Sequence, residues 1–123
     1  MNLLYKFIIF DFMALFNELT DIITELDCTQ RYPYQLPGEL LHRFNRFREA
    51  MQLVATTMNN QRGRAFLRKY ENGSRGQQLV QVRADSPIDR ETLMLMTEFC
   101  QDANQLEDHL KQSWKRNNKP SDR

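Results

Sequence analysis

Between Leu36 and Asn60 the large apolar residues recur at a helical interval. Leu40, Phe44, Phe47, Met51, Val54 and Met58 lie four, three, four, three and four residues apart, which places them on one stripe of an α-helix. Pro37 fits the first turn, where a missing N–H costs nothing, and Glu39 suits the positive end of the helix dipole. Glu39, Arg43, Arg46 and Glu49 share the opposite side at offsets that allow ion pairing. The pattern predicts the central helix of a small helical domain.

The same register recurs on both sides of this stretch. In residues 1–27, Ile8, Phe12, Leu15, Leu19, Ile22 and Leu26 form one row, and Ile9, Phe16 and Ile23 add a second. Two rows make the wide apolar face of a core helix. Residues 3–10, LLYKFIIF, are apolar on nearly every side and read as a buried helical segment, a short strand or a surface for a partner. Met13 is a second candidate start, with Asp11 able to cap a helix that begins at Phe12. Near the C-terminus, Ser86-Pro87-Ile88-Asp89 combines a cap residue, a proline for the first helical position and an early acid. Leu95, Phe99, Ala103, Leu106, Leu110 and Trp114 then line one face, widened at first by Leu93, Met96 and Cys100. That helix should fade near Lys115 and leave residues 116–123 as a polar tail.

The connections are less regular. Residues 28–37, CTQRYPYQLP, hold two prolines that force their predecessors toward extended backbone, so Tyr-Pro-Tyr reads as a strap over a helix end. Residues 61–82 admit two readings. One continues the helix through Gly63, with Phe66, Leu67 and Tyr70 on its apolar side, to a stop at Asn72-Gly73, and is favoured as a helical turn or two at 64–70 followed by a loop. The other pairs 64–70 with 78–83 as a β-hairpin about ENGSRG, because Asn-Gly is a strong turn signal and QLVQVR has β-type composition. The pattern therefore predicts a mostly-α chain. A single domain over 1–115 would be an antiparallel bundle of three long helices, with a short β-hairpin or loop between the second and third.

Composition is consistent with this picture and narrows the function classes. One domain is the expectation for 123 residues, and 41% apolar content with only 4 Gly and 4 Pro argues for a folded chain. The N-terminal apolar run is interrupted by Lys6 and Asp11. It is too short to span the roughly 20 residues of a bilayer crossing, and no small-residue cleavage site follows it. No membrane association is expected, and the location is expected to be cytoplasmic, or nuclear in a eukaryotic cell. Two cysteines, Cys28 and Cys100, make no disulfide framework. They are expected to be reduced and mostly buried, with a single bridge as the alternative.

Candidate chemistry is sparse. His42 sits among arginines beside the central apolar stripe. Glu98, Asp102, Gln105 and His109 share a face of the last helix, a set that could hold a metal. However, position 106 is Leu, so the Glu-x-x-His pattern of di-iron bundles is missing. The expectation is a solvated helix face, with no enzyme activity, no metal and no cofactor.

Charge is distributed in blocks. The net charge is +1, yet residues 1–41 sum to −4, 42–83 to +7, 84–110 to −6 and 111–123 to +4. Arg62, Arg64, Arg68, Lys69, Arg75 and Arg83 concentrate in the basic block, interleaved with Phe66 and Tyr70. Such a block either pairs with the acidic helices of its own bundle or tracks phosphates. The first reading predicts a non-enzymatic adaptor or regulatory subunit that acts by protein–protein contact and self-associates, with Ile8, Ile9, Phe12 and Phe16 at the interface. The alternative is a nucleic-acid-binding regulator that uses the six basic residues of segment 62–83.

Overall fold

In a computed structural model, the backbone is described for residues 2–71, 73–82 and 86–117, and side chains for residues 13–71, 73–82, 86–109 and 112. Five helices follow one another: α1 (Asn2–Thr29), α2 (Gly38–Met58), α3 (Gln61–Tyr70), α4 (Gly73–Val80) and α5 (Arg90–Asn117). The mostly-α expectation holds, but the bundle of three long helices with a hairpin or loop does not. The segment in question forms two short helices. Phe66 and Tyr70 are one helical turn apart and both buried, and Leu79 and Val82 are buried three residues apart. Burial at those intervals needs a helix or helical turn, and it overrides the β-type composition of QLVQVR. Gly73 takes φ +78°, the left-handed geometry expected of a hairpin turn, but spends it on turning from α3 into α4.

Nor does the central helix continue through Gly63: the chain breaks between α2 and α3. Asn59 ends α2 with φ 49°, and Asn60 caps α3, its Oδ1 accepting from the Gly63 N–H at 2.9 Å. Asn suits both positions: after Gly it is among the residues that most readily adopt the left-handed conformation, and it ranks with Asp and Ser as an N-cap. Gly63 then passes so close to α2 that a Cβ there would lie 2.4 Å from the Ala55 carbonyl oxygen. Only glycine permits that approach.

The long helices bury the stripes that the spacing predicted. On α2 these are Leu40, Phe44, Phe47, Met51 and Val54, with Met58 partly covered; on α5 they include Leu95, Phe99, Ala103 and Leu106. The α1 stripe contributes Leu15, Leu19 and Leu26. Leu110 and Trp114 belong to side chains outside the described set. α1 packs along both α2 and α5, while α3 and α4 pack against α5 and each other. Asp27 near the end of α1 meets Arg90 at the start of α5, with Nε–Oδ1 2.9 Å. Glu18 of α1 meets Arg43 of α2 at 2.6 Å. Both pairings fit helices of opposite direction.

The entry to α5 starts three residues later than expected. Tyr34 and Ile88 exchange backbone hydrogen bonds of 2.9 and 2.7 Å, which holds Ile88 extended and outside the helix. Asp89, not Ser86, is the cap: its Oδ1 accepts from the Thr92 N–H at 2.9 Å, and that bond holds the Asp89 carboxyl below the usual range. The Tyr-Pro-Tyr strap is tied to Ile88 in this way. Tyr32 and Tyr34 are half-buried against the core, and the Tyr32 hydroxyl donates to Asp27. Both cysteines are free. Cys100 is buried, and burial pushes its thiol up to about 12; Cys28 is exposed, contrary to expectation, because α1 ends beside it. No helix among the described residues is long and apolar enough to cross a membrane.

Phe99 has no exposed surface and touches four aromatic rings: Phe44 at 5.8 Å, Phe47 at 5.9 Å, Phe66 at 5.2 Å and Tyr70 at 5.0 Å between centroids. Phe99→Ala should therefore cost about 3–5 kcal/mol of unfolding free energy, the range for emptying a buried aromatic site. Urea denaturation checks this, and a loss below about 1 kcal/mol would mean that the cluster is not the core's joint.

Candidate functional site

The most polar constellation lies where α3 and α4 cross α5. It follows from the aromatic packing. With Phe66 and Tyr70 turned onto Phe99, the neighbouring position 69 must flank α5. Lys69 Nζ reaches Asp102 Oδ2 at 2.7 Å and Glu98 Oε2 at 3.0 Å. Arg75 of α4 reaches Glu98 Oε1 at 2.7 Å. The Tyr70 hydroxyl, at the edge of the core, donates to the same Asp102 oxygen that Lys69 holds. Residue numbers rise from 69 to 75 on one side as they fall from 102 to 98 on the other, so the two strips run in opposite directions.

These contacts set the local electrostatics. Burial raises the Glu98 carboxyl, but hydrogen bonds from Lys69 and Arg75 outweigh it and hold the group below its ordinary value. The bond to Asp102 is the largest effect on Lys69 and raises its ammonium, against partial burial. Burial first, then the bond to Asp102, pushes the Tyr70 phenol well above its ordinary value.

Beside this network is a cleft of about 250 Å³ between α3 and α5. Phe66, Tyr70 and Leu106 supply buried apolar surface beneath it. Lys69 and Asp102 stand at one end, with Arg62 and His109 further along. Arg62 is two turns before Lys69, and His109 is two turns beyond Asp102, so opposed helices bring this second pair to the other end.

The basic candidates separate into two groups. Lys69 and Arg75 are committed to acidic partners on α5. Arg62, Arg64 and Arg68 are exposed on α3 with no carboxylate partner among the described residues; Arg64 makes only a long 3.4 Å contact to Asn59. Arg83 lies outside the described residues. The apolar candidates are also divided. The side chains of Ile8, Ile9 and Phe12 lie outside the described set, although their backbone is helical. Phe16 is half-buried and packs on the core, so only part of it is available to a partner. His42 is exposed on α2, remote in sequence from the cleft.

On the Glu98–His109 face, two of the four residues are already engaged. Glu98 and Asp102 are neutralised by Lys69 and Arg75, and no group of three His, Cys, Asp or Glu side chains among the described residues could hold a metal ion. Sequence reasoning missed the Tyr70 hydroxyl as a partner of Asp102 and missed Met13, which is 52% exposed. Only the opposite signs of the two charge blocks pointed toward the first. Compared with known proteins, the chain matches no family model, no curated sequence and no solved structure.

The network gives a signed pH dependence. A carboxyl lowered in the folded state contributes stability above its ordinary value of 4.5, and that contribution is lost as pH falls through the folded value. A raised Lys69 contributes below its ordinary 10.5 and loses that contribution as pH rises through its folded value. Glu98→Gln should therefore flatten the acid limb of the stability profile while lowering neutral stability by about 1 kcal/mol or less, because the groups are part-exposed. Urea midpoints measured across the acid range decide the point; an unchanged acid limb would show that Glu98 does not carry it.

Proposed function

We propose that the chain acts without catalysis, by binding a second copy of itself or another protein through one side of α1. The observation that carries this reading is the exposure of Met13. It lies four residues after Ile9 and three before Phe16, so it falls on the second apolar row of α1. Among the described residues α1 packs only against α2 and α5. The helix begins at Asn2, so the run LLYKFIIF is helical in backbone, and an apolar helix of that kind needs cover on more sides than two neighbours give. An exposed apolar side chain next to such a run supports an interface on this side of α1.

The inward turn of Lys69 and Arg75 supports the same choice, because it removes two cations from any surface that would follow phosphates. The unmodified chain should sediment as a dimer or larger at micromolar concentration. Ile8→Glu, Phe12→Glu and Met13→Glu together should give a monomer of unchanged helicity. A monomeric unmodified chain would exclude self-association and leave the face for a different protein.

A second reading, a nucleic-acid-binding regulator, is favoured by the exposure of Arg62, Arg64 and Arg68 on α3. Three phosphate contacts would give a slope of log affinity against log salt of about −2.7 on duplex, at about −0.9 per contact. The expected result on a generic duplex is weak binding with a slope no steeper than that. A slope of about −4.5 would mean, at the same value per contact, that Lys69 and Arg75 leave Glu98 and Asp102 for phosphates.

A further inference from the structure

We propose that the cleft between α3 and α5 is a binding site for a small monocarboxylate carried on a single flat ring. Three observations define that ligand. The first is size: about 250 Å³ lies below the roughly 300–1,000 Å³ of pockets that take drug-sized molecules. It admits one ring and a short substituent.

The second is the surface beneath the cleft. Phe66 and Leu106 are buried apolar side chains, and the Tyr70 ring lies between the aromatic cluster and Asp102. Phe66 and Leu106 keep only small exposed edges there and Tyr70 almost none, so a flat body would rest on the edges of side chains already fixed by their packing, and that floor is formed before the ligand arrives.

The third is charge. At the Lys69 end every charge is answered, since Asp102 takes the Lys69 ammonium and the Tyr70 hydroxyl, and Glu98 takes Lys69 and Arg75. At the other end Arg62 has no carboxylate partner among the described residues, and His109 adds a ring nitrogen able to hydrogen-bond. One free guanidinium matches one carboxylate, in the bidentate geometry that Arg favours. At the far end Lys69 and Arg75 are already taken by Asp102 and Glu98, so no second cation stands ready for a second carboxylate.

Benzoate is the simplest probe of this chemistry. Titration into the full chain, followed by amide shifts in ¹H–¹⁵N spectra, should saturate and move resonances of α3 and α5 around the cleft. Benzyl alcohol, which lacks the charge, and phthalate, which doubles it, should each bind several-fold more weakly. Arg62→Gln should weaken benzoate by about tenfold, the scale of a charge-assisted pair, while Arg64→Gln should leave it unchanged. Ala65→Phe, an exposed position on the cleft wall, should also remove binding, with a thermal midpoint close to that of the unmodified chain. The proposal is overturned if benzoate does not saturate, if benzyl alcohol binds as well, or if Arg64→Gln weakens binding as much as Arg62→Gln. None of these outcomes depends on the association state of α1.

Discussion

Phe99 is the side chain on which the arrangement of helices depends. Among the described residues, α2, α3 and α5 meet there through rings: Phe44 and Phe47 from α2, Phe66 and Tyr70 from α3. The pairs are mostly edge-on or tilted, the geometry in which ring quadrupoles attract, each contributing about 0.5–1.5 kcal/mol beyond area burial. A ten-residue helix such as α3 has little stability of its own. It persists because Phe66 and Tyr70 share a turn and reach the same buried ring, and because Gly63 lets it lie close against α2.

Once that packing is set, the charged side chains have few choices. Lys69 adjoins Tyr70, so it must lie against the flank of α5 that carries Glu98 and Asp102. The ion pairs there are part-exposed and individually weak. Their effect lies in direction: reversing α3 against α5 would separate Lys69 from Glu98 and Asp102. Asp27 with Arg90 and Glu18 with Arg43 act similarly for α1. The chain is thus nearly neutral overall yet strongly patterned, and part of that pattern, through Arg43, Lys69, Arg75 and Arg90, pairs its own helices.

Among the described residues, what remains outside this internal matching includes the exposed apolar side chains of Met13, Leu53, Val80 and Met94 and several arginines. Met13 extends an apolar row on α1, and Arg62, Arg64 and Arg68 stand on the outer sides of α3. These leftovers carry the functional reading, because a group already satisfied within the fold has little free energy left to offer a partner. The acidic face of α5 illustrates the point. In isolation it resembles a ligand set, but with two cations and a phenol upon it, it is a structural contact.

The sequence by itself determined the long helices. A 3-4 repeat of large apolar residues reports burial on one face, and burial is what holds a helix in place, so the stripes through Leu40–Met58 and Leu95–Leu106 were legible directly. The signs of the charge blocks were legible too. The sequence did not determine what the Asn-Gly pair would turn. That signal states only that the backbone can take a positive φ at Gly73, and a turn between two helices uses it as readily as a hairpin. Nor did it locate the start of α5, since Ser86 and Asp89 are both good caps, and the backbone bridge from Ile88 to Tyr34 selects the second. The cleft, the shared Asp102 and the freedom of Arg62 were decided only by tertiary structure. Each depends on the register between α3 and α5, and that register is fixed by rings meeting at Phe99 across more than thirty residues of chain, a relation that no local pattern encodes.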